Sequence, residues 1–155
     1  MTFKITGLDP QPFRRFYGQT DRELSTHGVL RYRATAKSKY PDRIEMREAK
    51  PGETLLLLNH TSQPANTPYH ARHAIFVREG ADKTYCKTDE IPEVMRTRLL
   101  SLRGFDENGM MHEGDVARGD GLIPIIRRFF KNPDVAYIHV HNAGHGCYSG
   151  RIDRA

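Results

Sequence analysis

The run Thr54-Leu55-Leu56-Leu57-Leu58-Asn59 leaves this chain the fewest choices. Successive side chains of an extended backbone point to opposite faces, so consecutive leucines put apolar groups on both. A run of this length, bounded by a turn, reads as a strand buried on both sides. The turn is Lys50-Pro51-Gly52-Glu53, where proline presets one torsion and glycine takes a positive φ. A second buried strand, Ala74-Ile75-Phe76-Val77-Arg78, follows after a polar stretch.

Other elements fall around these two. Phe3 to Leu8 alternates as a first strand. Thr20-Asp21-Arg22-Glu23 is a capping box opening a short helix that Gly28 stops. Leu30 to Ala34 reads as a strand, and so does Arg43 to Arg47, with Ile44 and Met46 on one face. Residues 60–73 read as one long loop. Thr88 to Pro92 reads as a helix start with an early proline, and the helix runs on through Val94 and Met95. Strands Leu99 to Phe105 and Met110 to Val116 flank an Asn108-Gly109 hairpin signal. Asp120 is placed to cap a helix whose stripe is Leu122, Ile125, Ile126, Phe129 and Phe130. A closing hairpin has strands 135–141 and 147–152 around the turn 142–146. The chain of 155 residues is therefore expected to be one α+β domain. It would hold a mixed, mainly antiparallel sheet of roughly seven to nine short strands, with two or three packed helices.

Charge and cysteines limit the function classes. Residues 1–50 carry 11 basic and 6 acidic side chains, and residues 51–155 carry 13 of each, so the whole net charge of +5 lies in the first third. Acids are interspersed there, which favours a solvated surface over a nucleic-acid footprint. Two cysteines, Cys86 and Cys147, make no disulfide framework, and a reducing compartment fits. Cys86 reads as structural. No apolar run approaches the ~18 residues of a membrane span, and the N-terminus lacks a signal-peptide layout. The expected location is the cytoplasm. No Walker sequence, dinucleotide fingerprint or nucleophile elbow is present.

Candidate chemistry gathers near the C-terminus. In strand 135–141, Ala136, Ile138 and Val140 share a core face, while Val135, Tyr137, His139 and His141 share the other. His139 and His141 suit acid/base work or a divalent metal, the one cofactor these residues suggest. Cys147, beyond the glycine-rich turn, is the candidate nucleophile. A buried, inert thiol is the structural alternative. Asn59, Tyr69, Arg72, His73 and Asn142 are the candidate substrate contacts. Arg72 with a neighbouring histidine suits a carboxylate or phosphate.

Several segments carry a family resemblance: Pro51-Gly52-Glu53, Leu57-Leu58-Asn59, Ala74 to Glu79, and His139-Val140-His141-Asn142-Ala143-Gly144 with Gly146-Cys147. Together they resemble the small bacterial proteins grouped as domain of unknown function 1203. The resemblance implies a single domain and draws attention to the last hairpin. It supplies no activity. The leading expectation is a small-molecule-binding protein or enzyme with a His/Cys site on the C-terminal hairpin. The alternative is a non-enzymatic interaction module whose basic N-terminal third meets nucleic acid or an acidic partner. A homodimer is the third arrangement considered.

Overall fold

The computed structural model describes residues 2–155. In chain order its strands are β1 (Phe3–Thr6), β2 (Leu30–Arg33), β3 (Thr54–Gln63), β4 (Ala71–Arg78) and β5 (Cys86–Thr88). They continue with β6 (Leu99–Phe105), β7 (Met111–Arg118), β8 (Tyr137–Asn142) and β9 (Tyr148–Arg154). The helices are α1 (Asp21–Ser25), α2 (Glu93–Arg96) and α3 (Leu122–Lys131). The α+β class expected from the sequence is the one observed. Two sheets divide the strands, in the orders β5-β1-β9-β8-β6-β7 and β2-β3-β4. Every pairing between these strands is antiparallel. Among the described residues no helix is long and apolar enough to cross a membrane.

The leucine run forms the middle strand of the smaller sheet and serves two packing clusters. Leu56 and Leu58 join Phe13, Phe16, Leu24, Ile75 and Val77, while Leu55 packs with Ala34 and Ala49. Helix α3 buries the whole expected stripe, from Leu122 to Phe130, against one face of the larger sheet. That face is built by Leu100, Leu102, Ile138, Val140 and Ile152. The Thr20 capping box is formed in both directions. Asp120, however, lies in a short 3-10 turn, and Gly121 takes the position before α3.

Three expectations are corrected. Residues 60–63 and 71–73 belong to strands, so the long loop shrinks to a connection over 64–70. His60 and His73 thereby become direct cross-strand partners. Arg43 to Arg47 is not a strand. Met46 has φ 56°, in the left-handed region, which turns the backbone. Ile44 and Met46 consequently enter different clusters rather than sharing a face. Finally, the face of β8 on which acid/base or metal chemistry is expected is covered: His139 and His141 are 4% and 2% exposed. Val135 lies before β8 and packs in the α3 core instead. Cys86 is exposed on the short edge strand β5.

The irregular segment 41–46 is tied down on several sides. Leu8 N donates to Arg43 O at 2.8 Å, Tyr85 N to Ile44 O at 2.8 Å, and Asp42 N to Arg47 O at 2.9 Å. Gly7 makes this approach feasible. A Cβ there would stand 3.0 Å from Arg43 O and closer still to Ile44 O. Both atoms are backbone held by other hydrogen bonds, so they cannot swing aside. Gly7→Ala is expected to cost about 3 kcal/mol, read as a lower urea midpoint at unchanged slope. A loss under about 0.5 kcal/mol would mean that the segment shifts freely.

Candidate functional site

Register decides which side chains meet. Across the larger sheet, His141 pairs with Ser101 and Tyr148, His139 with Arg103 and Arg151, and Tyr137 with Phe105. Directly opposed residues share a face. One face of the sheet thus holds hydrophobic residues against α3, and the other holds this polar and aromatic set. The distal half of the β3–β4 hairpin lies over that second set. The His73 ring is 4.9 Å from the His141 ring, and the His60 ring is 6.0 Å from the Tyr148 ring. Gln63 Nε2 donates to the Tyr137 hydroxyl at 2.9 Å.

Burial makes these imidazoles neutral. His139 is pushed down to about 3 by desolvation, with the nearby His141, Arg151 and Arg103 adding to the effect. His141 is pushed down to about 4 by desolvation, opposed by a hydrogen bond to Gly146. Burial lowers His60 and His73 as well. A carbonyl only accepts, so His141 Nδ1 carries the proton and donates to Gly146 O at 2.9 Å. That bond fixes the turn one residue before Cys147. Among the described residues His139 Nδ1 is buried without a hydrogen-bond partner. Bases titrating this low are poorly matched to proton transfer near neutrality. The geometry makes His141 a positioning group for the turn.

Cys147 sits where the two sheets and segment 41–46 meet. Arg43 Nη2 donates to its sulfur at 3.2 Å, and Asn142 Nδ2 donates at 3.3 Å. Arg43 is only 2% exposed. Its Nε donates to Tyr148 O at 2.9 Å and its Nη1 to Pro41 O at 2.8 Å. Among the described residues no carboxylate forms a salt bridge with it. Adjacent Asp42 is engaged elsewhere, accepting from Glu45 N at 2.6 Å and Arg78 N at 2.7 Å. Burial draws the Arg43 pKa down, and the Cys147 sulfur opposes that shift. An arginine in a protein keeps its proton, so a buried positive charge faces the half-buried thiol.

The thiol opens onto a cavity of ≈ 570 Å³. Its lining includes the polar residues Arg43, His73, Asn142 and His145 and the aromatic residues Tyr40 and Phe76. Of the sequence-derived candidates, Cys147, Asn142 and His73 therefore share one cavity, with His141 against His73. His139 instead lines a second cavity of ≈ 580 Å³ with Gln63, Tyr137 and Arg151. Arg72 Nε donates to Asn59 Oδ1 at 2.8 Å on the surface. Tyr69 packs edge-on to Phe105, with ring centroids 6.2 Å apart. For the metal expectation at His139 and His141, the rings are 6.4 Å apart. Among the described residues, no group of three or more His, Cys, Asp or Glu side chains is placed to hold an ion. Sequence reasoning did not find Arg43 as a site residue, nor Lys39, Tyr40, Phe76 and Arg98 of the cavity wall. Read locally, Arg43 looked like the first residue of a strand.

A family model described as Protein of unknown function (DUF1203) matches residues 39–154. No curated protein and no solved structure matches the chain.

Proposed function

This chain belongs to the family described as Protein of unknown function (DUF1203), and we propose that it binds a small molecule in the Cys147 cavity and acts on it through the thiolate. Arg43 carries this reading: a buried guanidinium with no salt bridge to a carboxylate among the described residues, donating to Sγ at 3.2 Å. The nucleophilic form of cysteine is the thiolate, and a neighbouring cation favours it. Asn142 adds a neutral donor to the same sulfur. The cavity volume, ≈ 570 Å³, falls in the usual range of small-molecule sites. In this reading His141 holds the 142–146 turn, and Asn142 and His73 face the ligand.

The interaction-module reading has less support. Arg31 of the basic first third is bonded to Asp21 and Glu79, Arg47 is bonded to Glu53, and Arg43 is buried. These three are not free to meet phosphates.

Iodoacetamide labelling of the native protein at neutral pH, followed by peptide mapping, tests the proposal. Exposed Cys86 is the internal reference. Half-buried Cys147 is expected to react at least as fast as Cys86 despite its lower access. If Cys147 is alkylated only after unfolding, the thiol is structural and the proposal fails.

A further inference from the structure

The wall of the Cys147 cavity has a one-sided charge. Among the described residues three cations line it, Lys39, Arg43 and Arg98, and no aspartate or glutamate does. Two of these charges have local partners. Arg43 faces the sulfur. Arg98 is ion-paired with Glu48 and also donates to Val94 O at 2.7 Å. Lys39 is exposed, and among the described residues its ammonium forms no salt bridge or hydrogen bond. Once Cys147 is a thiolate, about one positive charge remains for a ligand.

A second part of the wall is apolar. The Tyr40 and Phe76 rings lie 4.8 Å apart, and Tyr32 braces both edge-on at 5.8 and 5.4 Å. Leu57 and Pro41 complete it. A ligand matching both parts has one negative charge and an apolar body.

We propose that the Cys147 cavity selects small organic monoanions, carboxylates with an apolar body, and presents them to the sulfur. This deepens the thiolate reading and rests on it. The spare charge is single, so a carboxylate fits better than a phosphate dianion. Water is displaced from the ring wall by the body of the ligand, while Lys39 meets the head group. A cleft lined by one sign of charge raises the local concentration of its counter-ion.

Two alkylating probes of similar size test this, iodoacetate and iodoacetamide. The step is the same for both. The Cys147 sulfur forms a bond to the CH2 carbon and its proton goes to solvent. The carbon–iodine bond breaks and iodide leaves with the electron pair. Peptide mapping gives the Cys147:Cys86 labelling ratio for each reagent in one molecule. The ratio is expected to be about tenfold higher for iodoacetate at low salt, since charge focusing of this kind raises encounter rates by at least that factor. Added salt and Lys39→Gln should each shrink the preference. Benzoate should protect Cys147 from iodoacetamide, and neutral benzamide should not. Equal ratios for the two reagents, or equal protection by benzoate and benzamide, would overturn the anion selectivity and leave the thiolate reading standing. A Cys147 inert to both reagents in the folded protein would remove the thiolate reading itself, and this inference with it.

Discussion

Lowering the pH from 7.5 to 5 is expected to remove about 4 kcal/mol of stability through His139 and His141 alone. In the unfolded chain both imidazoles titrate near 6.5, whereas burial holds them at about 3 and about 4 in the fold. The folded values are depressed, so below 6.5 the unfolded state binds more protons. Stability then falls with falling pH. The contribution is intact above about pH 6.5, declines through pH 5, and is fully lost only when the folded imidazoles protonate near 4 and 3. Each group accounts for about 2 kcal/mol of the loss at pH 5, which is large against a typical 5–15 kcal/mol total. His60 and His73 are lowered too and add in the same direction.

Two features separate this from ordinary acid denaturation. Glu53 and Glu79 are held down to about 2 by Arg47 and Arg31, so their loss belongs to the window below about pH 4.5. The histidine slope comes earlier. His139 Nδ1 is buried without a partner among the described residues, so the imidazolium, which donates from both nitrogens, would leave that donor unsatisfied. Urea titrations at half-unit pH steps should therefore show a declining stability between pH 7 and 5. His139→Gln should reduce that slope by about 2 kcal/mol over the interval, because one of the depressed proton sites is gone. A flat profile across the interval would refute neutral, buried imidazoles in the fold.

How much of this could be read from the chain depends on range. The leucine run, the α3 stripe and the Thr20 capping box are local patterns, and each forms where its spacing puts it. The alternation in β8 separates Ile138 and Val140 from His139 and His141 correctly. Alternation gives the two faces of a strand but not what covers them. The cover on the histidine face comes from β3 and β4, distant in sequence. The loop expected over 60–73 fails for a related reason. His60 to Gln63 are polar, yet they extend a strand because they pack against the polar face of the other sheet. Arg43 is the hardest to foresee. Its partners Cys147 and Tyr148 lie 104 and 105 residues away, and the segment is shaped by a positive φ at Met46. A methionine gives no local signal for that conformation. Cys147 and Asn142 were legible as candidates because both flank the glycine-rich turn. The charge that gives the thiol its setting was not.

Replacing Arg43 by methionine should produce the largest change in Cys147 chemistry. Methionine keeps much of the volume and removes both the charge and three donors. Pro41 O and Tyr148 O then lose the bonds that now satisfy them, at a cost of about 3 kcal/mol for two buried acceptors. The sulfur loses a cation at 3.2 Å, which should slow alkylation at neutral pH by at least about tenfold. Arg43→Lys separates the two losses. It restores a charge, but one ammonium on a flexible stem does not reproduce a planar fork reaching three acceptors. Stability should stay low while reactivity partly returns. Asn142→Ala provides a variant that does not depend on rescuing a buried arginine. Among the described residues the only side-chain hydrogen bond of Asn142 runs to Sγ, and its turn is held by backbone bonds of 2.8 and 2.9 Å. This variant should fold normally and lower the Cys147 alkylation rate severalfold, with Cys86 unchanged. A structural role for the Arg43–Cys147 contact predicts another pattern: Arg43→Met unstable, Asn142→Ala and wild type labelled at one rate, and no recovery of reactivity with lysine. Unfolding curves and labelling rates on the same three variants decide between the two, because a merely structural thiol responds to stability and a thiolate responds to charge.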